Sequence, residues 1–183
     1  MSAQDELTEV FISEETRYTG KVFTVSERIV KLPNGRQAMR ELVNHHGAAA
    51  IVPVDAGGTV TLVRQYRAAH DKVMLEIPAG KLDSATEDPL TCAHRELKEE
   101  TGLTARSMKF LTRMAPTPGY DTEFVNIYLA TELTGGRANP DEDEFLTVTR
   151  MPLQEAAQRV MRGEIGDAKT AIGLLMAARL LCY

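Results

Sequence analysis

One helical segment, Pro89–Thr101, set into a long succession of short β-favouring runs, constrains this chain more than any other feature. Asp88 stands where a side-chain oxygen can cap the first turn. Pro89 takes the first helical position, where its missing N–H costs nothing, and Gly102 follows where the chain must leave the helix. Ahead of the helix, residues 21–30 and 37–43 favour strands and are joined through Leu32-Pro33-Asn34-Gly35-Arg36, whose Asn-Gly pair signals a hairpin. Residues 48–54 form a nearly continuous apolar run, and 59–65 and 74–77 follow, the last ending at Pro78. Behind the helix come strand-like runs at 108–114, 124–130 and 145–149, then helical patterns at 153–162 and 167–181. Strands, one helix, strands and helices, with no regular βαβ rhythm, predict a mixed α+β sandwich. The hairpin at the start predicts a small β lobe over residues 1–45, with 46–183 as the main domain.

Composition narrows the function classes. A hydrophobic fraction of 43% and a charged fraction of 26% are those of a globular chain that buries a core. With aromatics at 5% and no Trp, that core must rest on aliphatic side chains, Ala and Met. The net charge of −5 offers no basic footprint for nucleic acid. A phosphorylated substrate would therefore need a cation to hold it. Cys92 and Cys182 lie far apart with no ligand spacing, and no run reaches the roughly 20 apolar residues of a membrane span. A reducing cytoplasm is the expected setting, with no nucleic-acid and no membrane partner.

On the helix, Leu90, Ala93, Leu97 and Thr101 share one stripe, expected to face the core. Glu96, Glu99 and Glu100 fall beside it at spacings of three and four, which makes them neighbours on the helix surface. Like charges so placed weaken a helix, and they sit in its second half, where the dipole disfavours anions. A solvated acidic face eased by Arg95 and Lys98 accounts for them. So does a hard-cation site of converging oxygen ligands. Periodicity alone does not choose. His94, near the same stripe, is expected to pack, and His45, His46 and His70 show no ligand spacing.

The wider pattern does choose. Gly80, Glu87, Arg95, Glu96, Leu97, Glu99, Glu100, Gly102 and Leu103 resemble the Nudix box, G-x5-E-x7-R-E-U-x-E-E-x-G-U with U apolar, except that six residues separate Gly80 from Glu87. The extra residue falls in the loop before the helix and leaves the helix register intact. The resemblance implies an α/β/α sandwich around a mixed sheet, and hydrolysis of a nucleoside diphosphate linked to another group. It implies Mg²⁺, or Mn²⁺, held by Glu96 and Glu100 with Glu99 sharing, the Ala79 carbonyl assisting, and Arg95 supporting them by a salt bridge. Gly80, Glu87 and Gly102 hold the motif's shape.

Leu75-Glu76-Ile77-Pro78-Ala79-Gly80-Lys81-Leu82 and Pro116-Thr117-Pro118-Gly119-Tyr120 are similar to the ADP-ribose pyrophosphatase branch, a likeness that runs from the first hairpin to Asp167-Ala168-Lys169-Thr170. That branch implies cleavage of ADP-ribose to AMP and ribose 5-phosphate. It also implies Arg67, and more weakly Arg40, on the diphosphate or ribose, Phe23 or Tyr18 stacked on adenine, and Pro118 and Gly119 near the substrate. A glutamate of the acidic loop 139–144 should activate water, assigned to Glu142, with Glu144 joining the metal on closure. The N-terminal lobe implies a homodimer. Rival readings are another nucleoside diphosphate sugar, such as ADP-glucose or GDP-mannose, and a non-catalytic ligand sensor, although every box carboxylate is present. An isomerase of the same fold would need a catalytic Cys, and Cys92 and Cys182 offer no clear counterpart.

Overall fold

The protein is described here by a computed structural model covering residues 6–135 and 145–182. Two compact units are present: Met1–His46 with Thr117–Glu123, and Gly47–Pro116 with Phe124–Tyr183.

The first unit is an antiparallel sheet in the order β1-β2-β3, with β1 Val10–Thr19, β2 Thr24–Lys31 and β3 Gln37–Asn44. The expected hairpin is β2–β3, turning where the Gly35 N–H meets the Leu32 carbonyl at 2.9 Å. Strand β1 was not predicted. Its residues are exposed throughout, so it shows no period-two alternation. Backbone pairing holds it to β2, and charges cross between the strands, Arg17 to Glu27 at 2.7 Å and Arg28 to Glu14 at 2.8 Å. The segment Thr117–Glu123 joins this unit through the Val43 N–H on the Tyr120 carbonyl, 2.8 Å, and the Thr122 N–H on the Val43 carbonyl, 2.9 Å.

In the second unit, β4 Ala48–Pro53 lies between β7 Ala79–Lys81 and β9 Val125–Gly135, and β9 pairs with β8 Leu103–Met114. Pairing is parallel between β4 and β9 and antiparallel elsewhere, which makes the sheet mixed. A second sheet has the order β10-β5-β6, from β10 Leu146–Pro152, β5 Thr59–Arg67 and β6 Lys72–Glu76.

The continuous apolar run of β4 is explained by burial on both faces. Ala48, Ala50 and Val52 enter a core with Ile127, Leu129, Leu153, Leu174 and Ala177. Ala49 and Ile51 point the other way, into a core with Cys92, Ala93, Leu97 and Tyr128. Helix α1 Pro89–Thr101 therefore covers one face, while α2 Leu153–Met161 and α3 Ala168–Leu180 cover the other, giving the expected sandwich. Among the described residues no helix is long and apolar enough to cross a membrane.

Helix α1 has the predicted bounds. The Asp88 carboxylate accepts from the Thr91 N–H, and Gly102 at φ 71° lets its own N–H reach the Lys98 carbonyl. Its buried stripe, however, is rotated from the expected one. Leu90 and His94 are exposed, and Glu96 and Glu100 are buried in their place. Ala93, Leu97 and Thr101 of the expected stripe are buried, but Leu90 is not, because the Ala79 N–H meets Glu100 and the bare Gly80 backbone admits Glu96. Strand β8 begins at Leu103, five residues earlier than the pattern suggested, and β7 is too short to show any period.

Candidate active site

The site grows from the crossing of α1 over the strand end at Ala79–Gly80. Pro78 has no N–H, and its carbonyl accepts from the Ile51 N–H at 2.8 Å. Strand β7 then pairs with β4, Ala49 opposite Gly80. From above, Glu100 reaches down so that its carboxylate accepts the Ala79 N–H at 3.1 Å, and only 2% of the residue stays exposed. One turn earlier, Glu96 lies against Gly80. A Cβ on residue 80 would fall inside the Glu96 carboxylate, so glycine is required there for close approach.

Arg95 gathers the surrounding acids. Its guanidinium donates to Glu96 at 2.5 Å and Glu99 at 3.3 Å, and to the Lys81 carbonyl at 3.3 Å. Glu87 lies 3.5 Å from it and Asp83 3.7 Å. Burial opposes the Arg95 charge, but the neighbouring groups, Glu96 foremost and Asp83 and Cys92 with it, outweigh it and raise its pKa above the ordinary value. Glu87, the residue displaced by the longer loop, also accepts the Asp83 N–H at 2.6 Å. The extra residue is thus absorbed in the loop while Glu87 keeps its line to Arg95. Cys92 is buried beneath, donating to the Lys81 carbonyl at 3.5 Å, and burial pushes its thiol up to about 12. A thiol so held stays protonated and offers no nucleophile.

These residues fit a hard divalent cation. Two buried carboxylates stand one turn apart on a single helix, beside a backbone stripped of its Cβ, and the donor atoms are all oxygen. Among the described residues no three Asp, Glu, His or Cys groups already close around one point. A hard divalent cation keeps several waters and takes further oxygens from a phosphate. Glu142 and Glu144 lie outside the described residues.

Arg67, at the end of β5, points its Nε and Nη2 at the two oxygens of Glu76, 2.7 and 2.8 Å away. Glu76 is 2% exposed, and Lys169 at the start of α3 donates to it at 2.5 Å. Burial pushes the Glu76 carboxyl up, but the hydrogen bonds and charges of Arg67 and Lys169 outweigh it and hold the pKa down to about 2. An unpaired carboxylate at that depth would cost several kcal/mol. The charges of Glu100 and Asp167 also act on Arg67. Glu76, Asp167, Lys169 and Thr170 were given no role from the sequence. The available signal was a lone acid inside an otherwise apolar run, Met74-Leu75-Glu76-Ile77-Pro78, which requires a partner.

The remaining candidates lie in the first unit. Arg40 pairs with Glu9, and together with Gly119 it lines a cavity of about 280 Å³ that also takes in Phe11 and Arg28. The Arg28 guanidinium stands 5.9 Å over the Phe11 ring. Tyr18 and Phe23 face each other instead, with ring centroids 6.2 Å apart, and neither lines that cavity. Pro118 precedes Gly119 on the segment hydrogen-bonded to the end of β3. Phe11, which lines that cavity with Arg40, lies on the strand that the sequence pattern left unmarked.

Known proteins match this arrangement. A family model described as the NUDIX domain matches residues 44–171. The chain is 39% identical over 170 residues to an ADP-ribose pyrophosphatase of Bacillus subtilis, covering 92% of this chain and 91% of that one. It is 42% identical over 166 residues to an ADP-ribose pyrophosphatase of Mycobacterium tuberculosis, covering 90% and 80%. A crystal structure of an ADP compounds hydrolase superposes with a TM-score of 0.82 at 26% identity, over 96% of this chain and 95% of that one. Hydrolases of this family generally use divalent metal ions. With its box residues assembled around Gly80 and α1, this chain belongs to the Nudix family, among the pyrophosphohydrolases of its ADP-ribose pyrophosphatase branch.

Proposed function

We propose that this protein hydrolyses the pyrophosphate of ADP-ribose to AMP and ribose 5-phosphate with Mg²⁺, for which Mn²⁺ can substitute. The observation that carries this reading is Glu96 seated on Gly80 beside Glu100 on the Ala79 N–H, in a chain whose relatives are named for that substrate. Glu96, Glu100, Glu99, the Ala79 carbonyl and Glu144 would hold the ion. When bound, it offsets the diphosphate charge and acidifies a coordinated water. Arg95 keeps Glu96 and Glu99 in place. Glu142 accepts the proton of the attacking water as its oxygen bonds to phosphorus and the bridging P–O bond breaks. Arg67 presents its Nη1 edge to the diphosphate or terminal ribose, because its other edge is spent on Glu76.

A panel of nucleoside diphosphate sugars assayed with Mg²⁺ tests the substrate. ADP-ribose should give the highest kcat/KM, and a chelator should abolish turnover. A higher value for GDP-mannose or ADP-glucose overturns the assignment.

The β lobe of residues 1–45 is proposed to serve dimerisation and substrate contact. Support comes from Val10, Phe11, Ile12 and Tyr18, all exposed on β1, and from Arg40 beside Phe11. Analytical ultracentrifugation should find a homodimer at assay concentration; a monomer alone overturns that part. The free thiols of Cys92 and Cys182 agree with the reducing cytoplasm proposed as its setting.

A further inference from the structure

Helix α3 begins in a cluster of polar groups that no step above employs. Asp167 caps it, accepting the Thr170 N–H at 3.0 Å and the Thr170 hydroxyl at 2.5 Å. Lys169 Nζ bridges Asp167, 3.0 Å, and Glu76, 2.5 Å. The Thr170 hydroxyl oxygen in turn accepts the N–H of Ile77 at 2.9 Å. Thr170 and Ile77 have no exposed surface. An N-terminal cap needs only Asp167 and the Thr170 amide. The two further links leave the helix and reach residues 93 positions earlier in the chain, on either side of one peptide bond.

Those two links end at different parts of the candidate site. The first is ionic. Both oxygens of Glu76 are taken by Arg67, so the plane of the carboxylate sets the plane of the guanidinium. A carboxylate torsion is broad by itself. Lys169 narrows it by holding Oε2, the oxygen that also takes Arg67 Nη2. The Arg67 hydrogen bonds to Glu76 use Nε and Nη2, so among the described residues Nη1 has no hydrogen bond and can donate to an anion.

The second link is a neutral hydrogen bond from a backbone N–H to a side-chain hydroxyl. Between Glu76 and Ala79 the chain has two residues, and Pro78 has no N–H. The Ile77 N–H is therefore the one backbone donor in that stretch, and Thr170 takes it. Two residues on, the Ala79 N–H meets Glu100, and Gly80 lies under Glu96. Holding the Ile77 amide constrains the path by which the chain enters β7 at Ala79, where pairing with Ala50 continues it.

We propose that the first turn of α3 is a positioning element for the reaction, with Lys169 orienting Arg67 through Glu76 and Thr170 setting the Ala79–Gly80 turn through the Ile77 amide. Neither residue touches substrate or metal. The proposal rests on the reading of Arg67 as an anion contact and of Ala79 as part of the metal site.

The two links predict separable defects. The binding of ADP-ribose, measured by calorimetry with the metal chelated, reads the Arg67 side. The binding of Mn²⁺, measured by electron paramagnetic resonance without nucleotide, reads the Ala79 side. Residues that orient others at a metal site affect affinity or activity by about 10–100-fold. Lys169→Met should weaken ADP-ribose about tenfold and leave Mn²⁺ within twofold, with Lys169→Arg recovering most of the loss. Thr170→Val keeps the side-chain shape but removes both the acceptor for the Ile77 N–H and the donor to Asp167. It should weaken Mn²⁺ about tenfold and leave ADP-ribose within threefold, with Thr170→Ser restoring it.

If both variants weaken both ligands alike, in proportion to a fall in Tm, the cluster only stabilises the fold and the proposal fails. It fails also if neither constant moves. A wild-type protein that binds no ADP-ribose removes the functional reading and the Lys169 link with it. The Mn²⁺ titration of Thr170→Val still decides the other link.

Discussion

Glu100→Gln should lose about 10²–10³-fold in kcat and most of its Mn²⁺ affinity while keeping its fold. The side chain is 2% exposed and accepts the Ala79 N–H. An amide of the same shape preserves that hydrogen bond and the packing, so the change removes one negative charge and little else. A metal ligand contributes several kcal/mol of charge stabilisation, and each 1.36 kcal/mol is tenfold in rate. Glu142→Gln provides the contrast. A general base contributes about 10²–10⁴ in rate without holding the ion, so this variant should lose kcat yet bind Mn²⁺ normally. Kinetics, metal titration and thermal melts on the two proteins separate the roles. Near-normal kcat in Glu142→Gln would show that the base lies elsewhere. Near-normal Mn²⁺ binding in Glu100→Gln would remove Glu100 from the metal site.

Gly80→Ala should be nearly as damaging, for a steric reason. The added Cβ would occupy the space of the Glu96 carboxylate. The backbone cannot retreat easily, because Gly80 is paired with Ala49 inside the sheet. Glu96 must therefore swing away, leaving its 2.5 Å contact with Arg95. The group that must give is the end of a flexible side chain, so the fold itself should lose little, and the damage is the displaced ligand, a loss of about 10²-fold in kcat/KM. Glu96→Asp in the same chain shortens the opposing side chain by one methylene. Gly80→Ala should cost less kcat/KM when added to Glu96→Asp than when added to the unchanged protein. Additive losses instead would mean that the two residues do not compete for that space.

The motif residues were legible because each obeys a local rule. Asp88, Pro89 and Gly102 define α1 by capping chemistry, and the run of β4 reads as a strand covered on both faces. Strand β1 escaped because exposed strands carry no alternation, and its cross-strand ion pairs have no period to detect. Leu90 and His94 were misplaced because a helical wheel ranks residues by hydrophobicity alone. The wheel has no knowledge of the Ala79 N–H or of the bare Gly80 backbone that make burial of Glu96 and Glu100 affordable. That Phe11 lines the same cavity as Arg40 was not legible either, since it depends on the register of β1 against β2.

By itself the sequence determined the element that bears the box, the spacing of its carboxylates, and the family to which the chain belongs. Spacing along one helix is a local property, set by 3.6 residues per turn. Only the tertiary structure decided that Glu96 lies on Gly80, that Arg95 gathers five oxygen groups, and that Lys169 and Thr170 reach Glu76 and Ile77. Those contacts join residues up to 93 positions apart. They are chosen by which buried donor would otherwise lack an acceptor, a condition that exists only once the strands and helices have packed.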